Sequence, residues 1–255
     1  MRYKVLVTGA AGYIGSVRCE RLLDAGHQVV GVDNLMYGQT SLFHLAANPG
    51  FQFVRTEVMD VNTMRPLYAK ADVIIPLAAI VGAAAVDRIP HIAYDTHVTA
   101  IRAMVNCLSS EQMVIYPNTN SGYGIGGEEV CTEETPMLPI SQYGAQKLEG
   151  EEVVMEHPKA ISLRLATVFG ASPRMRFDLL VNNFCYMAYY NRTLVIYEGH
   201  ARRNYVHVRD VVKAMEHCIQ YHRVCSMAGQ VYNLGNDAQN LTKIGLAQRV
   251  ATEAY

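Results

Sequence analysis

KVLVTGAAGYIG, residues 4–15, decides how the rest of the chain is read. The apolar run Val5-Leu6-Val7 predicts a short buried strand. Gly9, Gly12 and Gly15 then punctuate a loop, and Tyr13 to Leu23 carries a helical pattern. A buried strand, a glycine turn and a helix N-terminus together make an anion site, because the first helical N–H groups lack partners and the helix dipole points its positive end there. Gly9 permits the tight turn, Gly12 lets the backbone approach a pyrophosphate, and Gly15 lets the helix pack closely. The backbone at Tyr13 and Ile14 completes the turn. The spacing is G-x-x-G-x-x-G, one residue longer than the G-x-G-x-x-G dinucleotide fingerprint, but its strand–turn–helix context is the same.

Working outward, apolar runs alternate with helical patterns through the first two-thirds of the chain, which predicts an α/β fold with a doubly wound parallel sheet. Strands are expected at Gln28–Val32, Phe51–Arg55, Asp72–Pro76, Gln112–Tyr116 and Ile161–Leu165, and long helices at His91–Leu108 and Ser141–Glu156. Past Gly170 the rhythm changes. Helices are expected at Phe177–Tyr190 and Val208–Tyr221, strands at Leu194–Tyr197 and Val231–Leu234, and a helix beginning at Thr242. This divides the chain into a dinucleotide-binding domain, residues 1–170, and a smaller substrate lobe, residues 171–255, with the chain crossing back between them. The helical pattern is still running at Tyr255, which predicts either an incomplete lobe or a short one.

The 255 residues are 50% hydrophobic and carry a net charge of −1 with no block of like charge. That balance gives no basis for a nucleic-acid partner or an anionic membrane surface. An anionic ligand must therefore be held by local groups. No apolar run reaches membrane-spanning length. Cys19, Cys107, Cys131, Cys185, Cys218 and Cys225 lack C-x-x-C spacing, as befits a reducing cytoplasm, and no signal peptide is expected before the first strand.

Asp33 closes the second strand. A carboxylate there accepts both ribose hydroxyls of an adenosine and repels a 2′-phosphate, so NAD is the expected cofactor. Asn34 follows it, and Glu57 and Val58, after the third strand, stand where an adenine would lie. Leu77, Ala78 and Ala79 are small and apolar and would let a ribose lie against the sheet edge. Tyr143 and Lys147 are four apart on one helix face. An ammonium beside a phenol lowers the phenol's pKa from about 10, so Tyr143 is the candidate base and Lys147 its electrostatic partner. Thr119 is the candidate hydroxyl that orients substrate, with Ser121 as competitor, because loops after strand C-termini carry the chemistry of α/β enzymes.

Together these features resemble the extended short-chain dehydrogenase/reductases, the NAD-dependent epimerase/dehydratase family acting on nucleotide sugars. The likeness covers essentially the whole chain and is strongest at the glycine loop, at Tyr143/Lys147 and at RNYVHVRD, residues 203–210. It implies that Arg203 and Asn182 contact a nucleotide diphosphate, that Ala166 to Val168 face the nicotinamide, and that two long helices form a four-helix homodimer seam. PNTNSGYGIG and RLATVFGASPRMRFDLLVNNF look like bacterial GDP-heptose 4-dehydrogenases. Oxidation of a sugar C4 hydroxyl is implied, ending either in release of a 4-keto sugar or in epimerisation. The competing reading is a non-catalytic NAD-binding sensor of the same fold.

Two departures stand out. His97 occupies a mid-helix position where the resembling proteins have Asn, which puts local order near the site in question. Asn120-Ser121 follow Thr119 where related 4,6-dehydratases place Asp-Glu, which disfavours dehydration. The remaining histidines lack metal-ligand spacing, so no metal is expected.

Overall fold

The structure is a computed structural model and describes residues 1–124 and 130–254. The glycine loop of GYGIG at residues 122–126 therefore lies partly outside the described residues.

Seven strands form one all-parallel sheet: β1 (Lys4–Thr8), β2 (Gln28–Asp33), β3 (Phe51–Arg55), β4 (Val73–Pro76), β5 (Met113–Thr119), β6 (Ala160–Leu165) and β9 (Gln230–Leu234), in the order β3-β2-β1-β4-β5-β6-β9. The central strands read as continuous apolar runs because both faces are covered; Val5, Leu6, Val7, Ile74, Ile75, Val114 and Ile115 are all buried. On one face lie α1 (Tyr13–Asp24) and α8 (Val208–Tyr221); on the other lie α2 (Val61–Tyr68), α4 (Pro90–Tyr94) continuing into α5 (Ala100–Val105), and α6 (Gln142–Met155). The chain runs outward from β1 to β3 and then returns past β1 to β4. The crevice where a ligand enters such a sheet therefore opens between the C-terminal ends of β1 and β4.

A second, three-stranded sheet, β7 (Thr167–Phe169), β8 (Arg202–His207) and β10 (Asn240–Thr242), joins α7 (Leu180–Asn191) and α9 (Lys243–Ala254) in the lobe. Its own core packs Val181, Phe184, Tyr205, Leu246 and Val250. The lobe does not simply follow residue 170, because α8 and β9 return to the large sheet.

The expected strand at Leu194–Tyr197 is not one. Leu194 and Ile196 turn into the lobe core while Val195 and Tyr197 stay exposed, so the alternation is real, yet among the described residues no neighbouring strand supplies a ladder. Helix α7 begins at Leu180, after Arg176 and Asp178 form an ion pair. The long helix expected at His91–Leu108 is interrupted: α4 (Pro90–Tyr94) passes through a π-helical turn, Asp95–Thr99, before α5 (Ala100–Val105). Two short helices escaped the periodicity, α2 with Pro66 inside it and α3 (Ala83–Arg88). Among the described residues no helix is long and apolar enough to cross a membrane, and no three His, Cys, Asp or Glu side chains group as a metal site.

Candidate functional site

The crevice floor is the glycine loop. Gly9 sits at φ +64, and a Cβ there would lie 2.6 Å from the Ala78 backbone nitrogen. The loop after β1 thus touches the loop after β4 backbone to backbone, which is the reason for glycine at this point. Leu77 N–H donates to the Thr8 carbonyl at 3.1 Å, and Ala78 N–H to the Thr8 hydroxyl at 3.3 Å. Leu77, Ala78 and Ala79 keep part of their surface open beside this contact. Gly12 caps α1 without a side chain in the way. Gly15 packs closely as expected, but against the Gly9 carbonyl and Ala10 of its own loop, where a Cβ would be blocked.

Asp33 is buried and already holds the loop together. One carboxylate oxygen accepts from Ala11 N–H at 3.0 Å, and the other from Leu35 N–H at 2.8 Å and Gln39 Nε2 at 3.1 Å. Burial raises its pKa, and the bonds from Leu35 and Ala11 oppose the rise. It therefore fixes the turn between the glycine loop and the end of β2. Asn34 donates from Nδ2 to both carboxylate oxygens of Glu57 at 3.1 Å, which joins the two residues at the sheet edge beside Val58.

Tyr13 and Ile14 point their side chains elsewhere. The Tyr13 hydroxyl donates to the Gly170 carbonyl at 2.6 Å and accepts from Asn182 Nδ2 at 3.2 Å. Ile14 and Val168 both pack against the cluster of Tyr13, Val17, Val208 and Val212. Their contribution at the loop is backbone, in the first turn of α1. The Asn182 amide also accepts from Gly170 N–H and donates to the Arg176 carbonyl, so this buried side chain pins the lobe to α1. Ala166 N–H is tied to the Leu234 carbonyl at 2.9 Å. Arg203 stands apart, exposed on β8 opposite Leu241.

The chemistry-bearing side chains meet at the end of β5. Thr119 Oγ1 accepts from Ser121 N–H at 3.2 Å and donates to Ser121 Oγ at 3.1 Å, so the two candidate hydroxyls belong to one turn. Helix α6 is capped by Ser141 Oγ, which accepts from Gly144 N–H at 3.1 Å. It presents Tyr143 and Lys147 one turn apart. Burial pushes the Tyr143 phenol up to about 12, opposed by the Arg176 charge and a hydrogen bond with Thr119. Lys147 is 5% exposed, and its Nζ lies 4.0 Å from the centroid of the Tyr116 ring. Burial lowers it to about 7, with Glu151 pulling the other way.

The Arg176 charge also acts to lower the Tyr143 phenol against its burial, and nothing in the spacing of the sequence marked it. Both ring nitrogens of His97 are bonded, one to the Ile80 backbone N–H and the other to the Gln146 side chain. Beneath the site, the buried Glu151 carboxylate accepts from Asn118 Nδ2 at 2.7 Å, Ser162 Oγ at 2.5 Å and Arg164 Nη2 at 2.7 Å. Burial raises the Glu151 pKa, but Arg164, Asn118 and Ser162 outweigh it and the net shift is downward. Glu151 lies four residues beyond Lys147, a spacing visible in the sequence but not singled out.

The glycine cradle, the open Gly12 turn and the Asp33 carboxylate fit a dinucleotide without a 2′-phosphate. The comparisons agree. The family model described as NAD dependent epimerase/dehydratase family matches residues 5–235. The chain is similar to a UDP-glucose 4-epimerase of Mycolicibacterium smegmatis, 32% identical over 254 residues, covering 94% of this chain and 79% of the relative. It is also similar to an uncharacterized UDP-glucose epimerase, YtcB, of Bacillus subtilis, 31% identical over 83% of this chain and 71% of that one. Among solved structures, the Bacillus cereus UDP-glucuronic acid 4-epimerase in complex with UDP-glucuronic acid and NAD superposes with a TM-score of 0.86 at 25% identity, covering 98% of this chain and 82% of that chain. A dTDP-glucose 4,6-dehydratase from Bacillus anthracis shares the fold at a TM-score of 0.85 and 23% identity, over 98% of this chain and 80% of that one. The loop, the acid at the end of β2 and the Tyr/Lys helix thus lie on a known scaffold, and the chain belongs to the NAD-dependent epimerase/dehydratase family of enzymes.

Proposed function

We propose that the protein oxidises the C4 hydroxyl of a nucleotide-linked sugar to a 4-keto sugar, with Tyr143 as the base. The observation that carries this reading is the meeting of Thr119, Ser121 and Tyr143 at the end of β5, with Lys147 one turn along α6. When bound, NAD supplies the hydride acceptor and a positive charge. Tyr143 takes the proton of the sugar hydroxyl, and Thr119 or Ser121 orients that hydroxyl. Lys147 contributes charge when protonated and binds ribose, while Asp33 reads the ribose diol. Arg203 and Asn182 are assigned to the diphosphate; the three bonds on the Asn182 amide support a positioning part for that residue. Glu57, Val58, Ala166 and Val168 line the adenine and nicotinamide ends.

The ketone is either released, as in a 4-dehydrogenase, or rotated and reduced from the other face, as in a 4-epimerase. The relatives named above favour epimerisation. The likeness to GDP-heptose 4-dehydrogenases keeps release open. Asn120-Ser121 provide no acid pair for removing water, which argues against dehydration. The protein works in the reducing cytoplasm, a placement favoured by six unpaired thiols. It pairs as a homodimer through the outer faces of α4, α5 and α6.

The test is turnover of UDP-glucose, UDP-glucuronic acid and GDP-heptose, followed by nicotinamide absorbance and by sugar analysis of the products. At least one should give a 4-keto or C4-inverted product. Tyr143→Phe should lower turnover by about 10²–10⁴-fold with the fold intact. A non-catalytic NAD sensor would give neither product nor absorbance change, and full activity in the Phe variant would remove Tyr143 from the role of base.

A further inference from the structure

His97 is 1% exposed, and both of its ring nitrogens are used. The Ile80 backbone N–H donates to Nε2 at 3.0 Å, and Nδ1 lies 2.9 Å from Gln146 Oε1. A backbone amide can only donate, so Nε2 carries the lone pair and the ring proton sits on Nδ1. That fixes Gln146 in turn: its oxygen faces the ring, since its NH₂ would find no acceptor there.

The two partners come from opposite banks of the crevice. Ile80 ends the segment Leu77–Ile80 that abuts the glycine loop at Ala78 and Gly9. Gln146 lies between Tyr143 and Lys147 on α6. The His97 ring also meets the Tyr143 ring edge-on, with centroids 5.9 Å apart and planes at 70°. Ile80, Val86 and Ala93 form the apolar cluster against which Tyr143 packs. The π-helical turn at Asp95–Thr99 carries the imidazole at this point, and such insertions recur at functional positions.

We infer that His97 is a positioning residue, acting as a clamp that holds the Leu77–Ile80 segment and the Tyr143–Lys147 turn as one rigid unit. The inference rests on the functional reading above for its kinetic consequence and on the hydrogen-bond geometry alone for its structural one. The clamp works only in the neutral Nδ1–H form, because a proton on Nε2 would face the Ile80 N–H. Burial, followed by the Lys147 charge, lowers the imidazole to about 4, while the bonds to Gln146 and Ile80 pull upward. The neutral form therefore persists across the working range of pH.

Nitrogen NMR of the wild-type imidazole tests the geometry without reference to turnover. The Nδ1–H tautomer should persist from about pH 8 to about pH 5; an Nε2–H tautomer, or protonation above about pH 6, overturns the clamp. His97→Leu removes both bonds. It should lower kcat on the order of 10²-fold, since misplacement of about 1 Å costs that much, leave KM for the nucleotide sugar nearly unchanged, and move the acid limb of the pH profile. His97→Gln can accept from Ile80 and donate to Gln146, so it should recover most of the loss. A lower melting temperature in the Leu variant with kcat and pH profile intact overturns the inference. If the Leu variant does not fold, the Gln variant and the tautomer decide. If the wild-type protein turns over no nucleotide sugar, the functional reading fails, and the tautomer and calorimetric NAD affinity of the variants still judge the clamp.

Discussion

Lys147 is held in a position that costs stability. Its ammonium is buried against the Tyr116 ring, with titration lowered from 10.5 to about 7 by burial. Between about pH 7 and 10.5 the unfolded chain holds a proton that the folded chain has released, so stability rises with pH across that window. At pH 6.5, below the window, the folded protein carries the full cost of the buried charge. Lys147→Met should therefore abolish turnover while stabilising the fold at pH 6.5 by about 1–3 kcal/mol, as apolar replacements of buried charges do. The gain should vanish above pH 10.5, which thermal melts at several pH values will check. A destabilised Met variant at pH 6.5 would contradict this. Residue types at this level were largely legible. Tyr143, Lys147, Thr119 and Asp33 each announce a chemistry by type and spacing. Arg176 was not legible, because its influence on Tyr143 depends on how the segment before α7 folds back.

Among the elements, the contact between α6 and the π-helical turn is a close one. A Cβ at Gly150 would stand 2.5 Å from both the His97 carbonyl and the Tyr116 hydroxyl. Neither can retreat freely, since Tyr116 is fully buried and donates to the Lys147 carbonyl. Gly150→Ala should push α6 away from the turn at a cost of about 1–3 kcal/mol. It should lower the melting temperature by several degrees and reduce turnover even where the protein remains folded. Unchanged turnover would show that the helix has slack. The parallel strands were legible because a strand covered on both faces is a plain apolar run. The interrupted α4/α5 helix was not, since one residue of extra backbone leaves no mark on the hydrophobic period. Leu194–Tyr197 misled for the opposite reason: its alternation is satisfied by the lobe core without any strand pairing.

For the whole molecule, the outer faces of α4 to α6 expose Ile92 and Tyr94. Leu138 and Ile140, just before α6, are exposed as well. A groove of about 500 Å³ between α5 and α6 has Arg102, Glu149, Glu152 and Glu156 as its charged lining, beside apolar residues such as Leu148 and Val153. A two-fold seam here would bring more carboxylates than cations together, so association should strengthen as salt screens them. Sedimentation velocity at micromolar concentration should show a dimer that tightens with ionic strength. A monomer at every salt concentration would rule the seam out. The lobe was the least legible part, since its sheet is assembled from three short pieces, Thr167–Phe169, Arg202–His207 and Asn240–Thr242, far apart in the chain.

That interleaving has a consequence for the growing polypeptide. Strand β6 pairs on one side with β5 and on the other with β9, and the stretch from β7 to α8, lobe and returning helix together, separates it from that second neighbour. Until Gln230–Leu234 arrives, β6 is an open sheet border of buried apolar residues with unsatisfied amides, the kind of template that recruits other chains. A nascent or truncated chain ending before Gln230 is thus exposed to aggregation, and the last strand of the sheet acts as a seal.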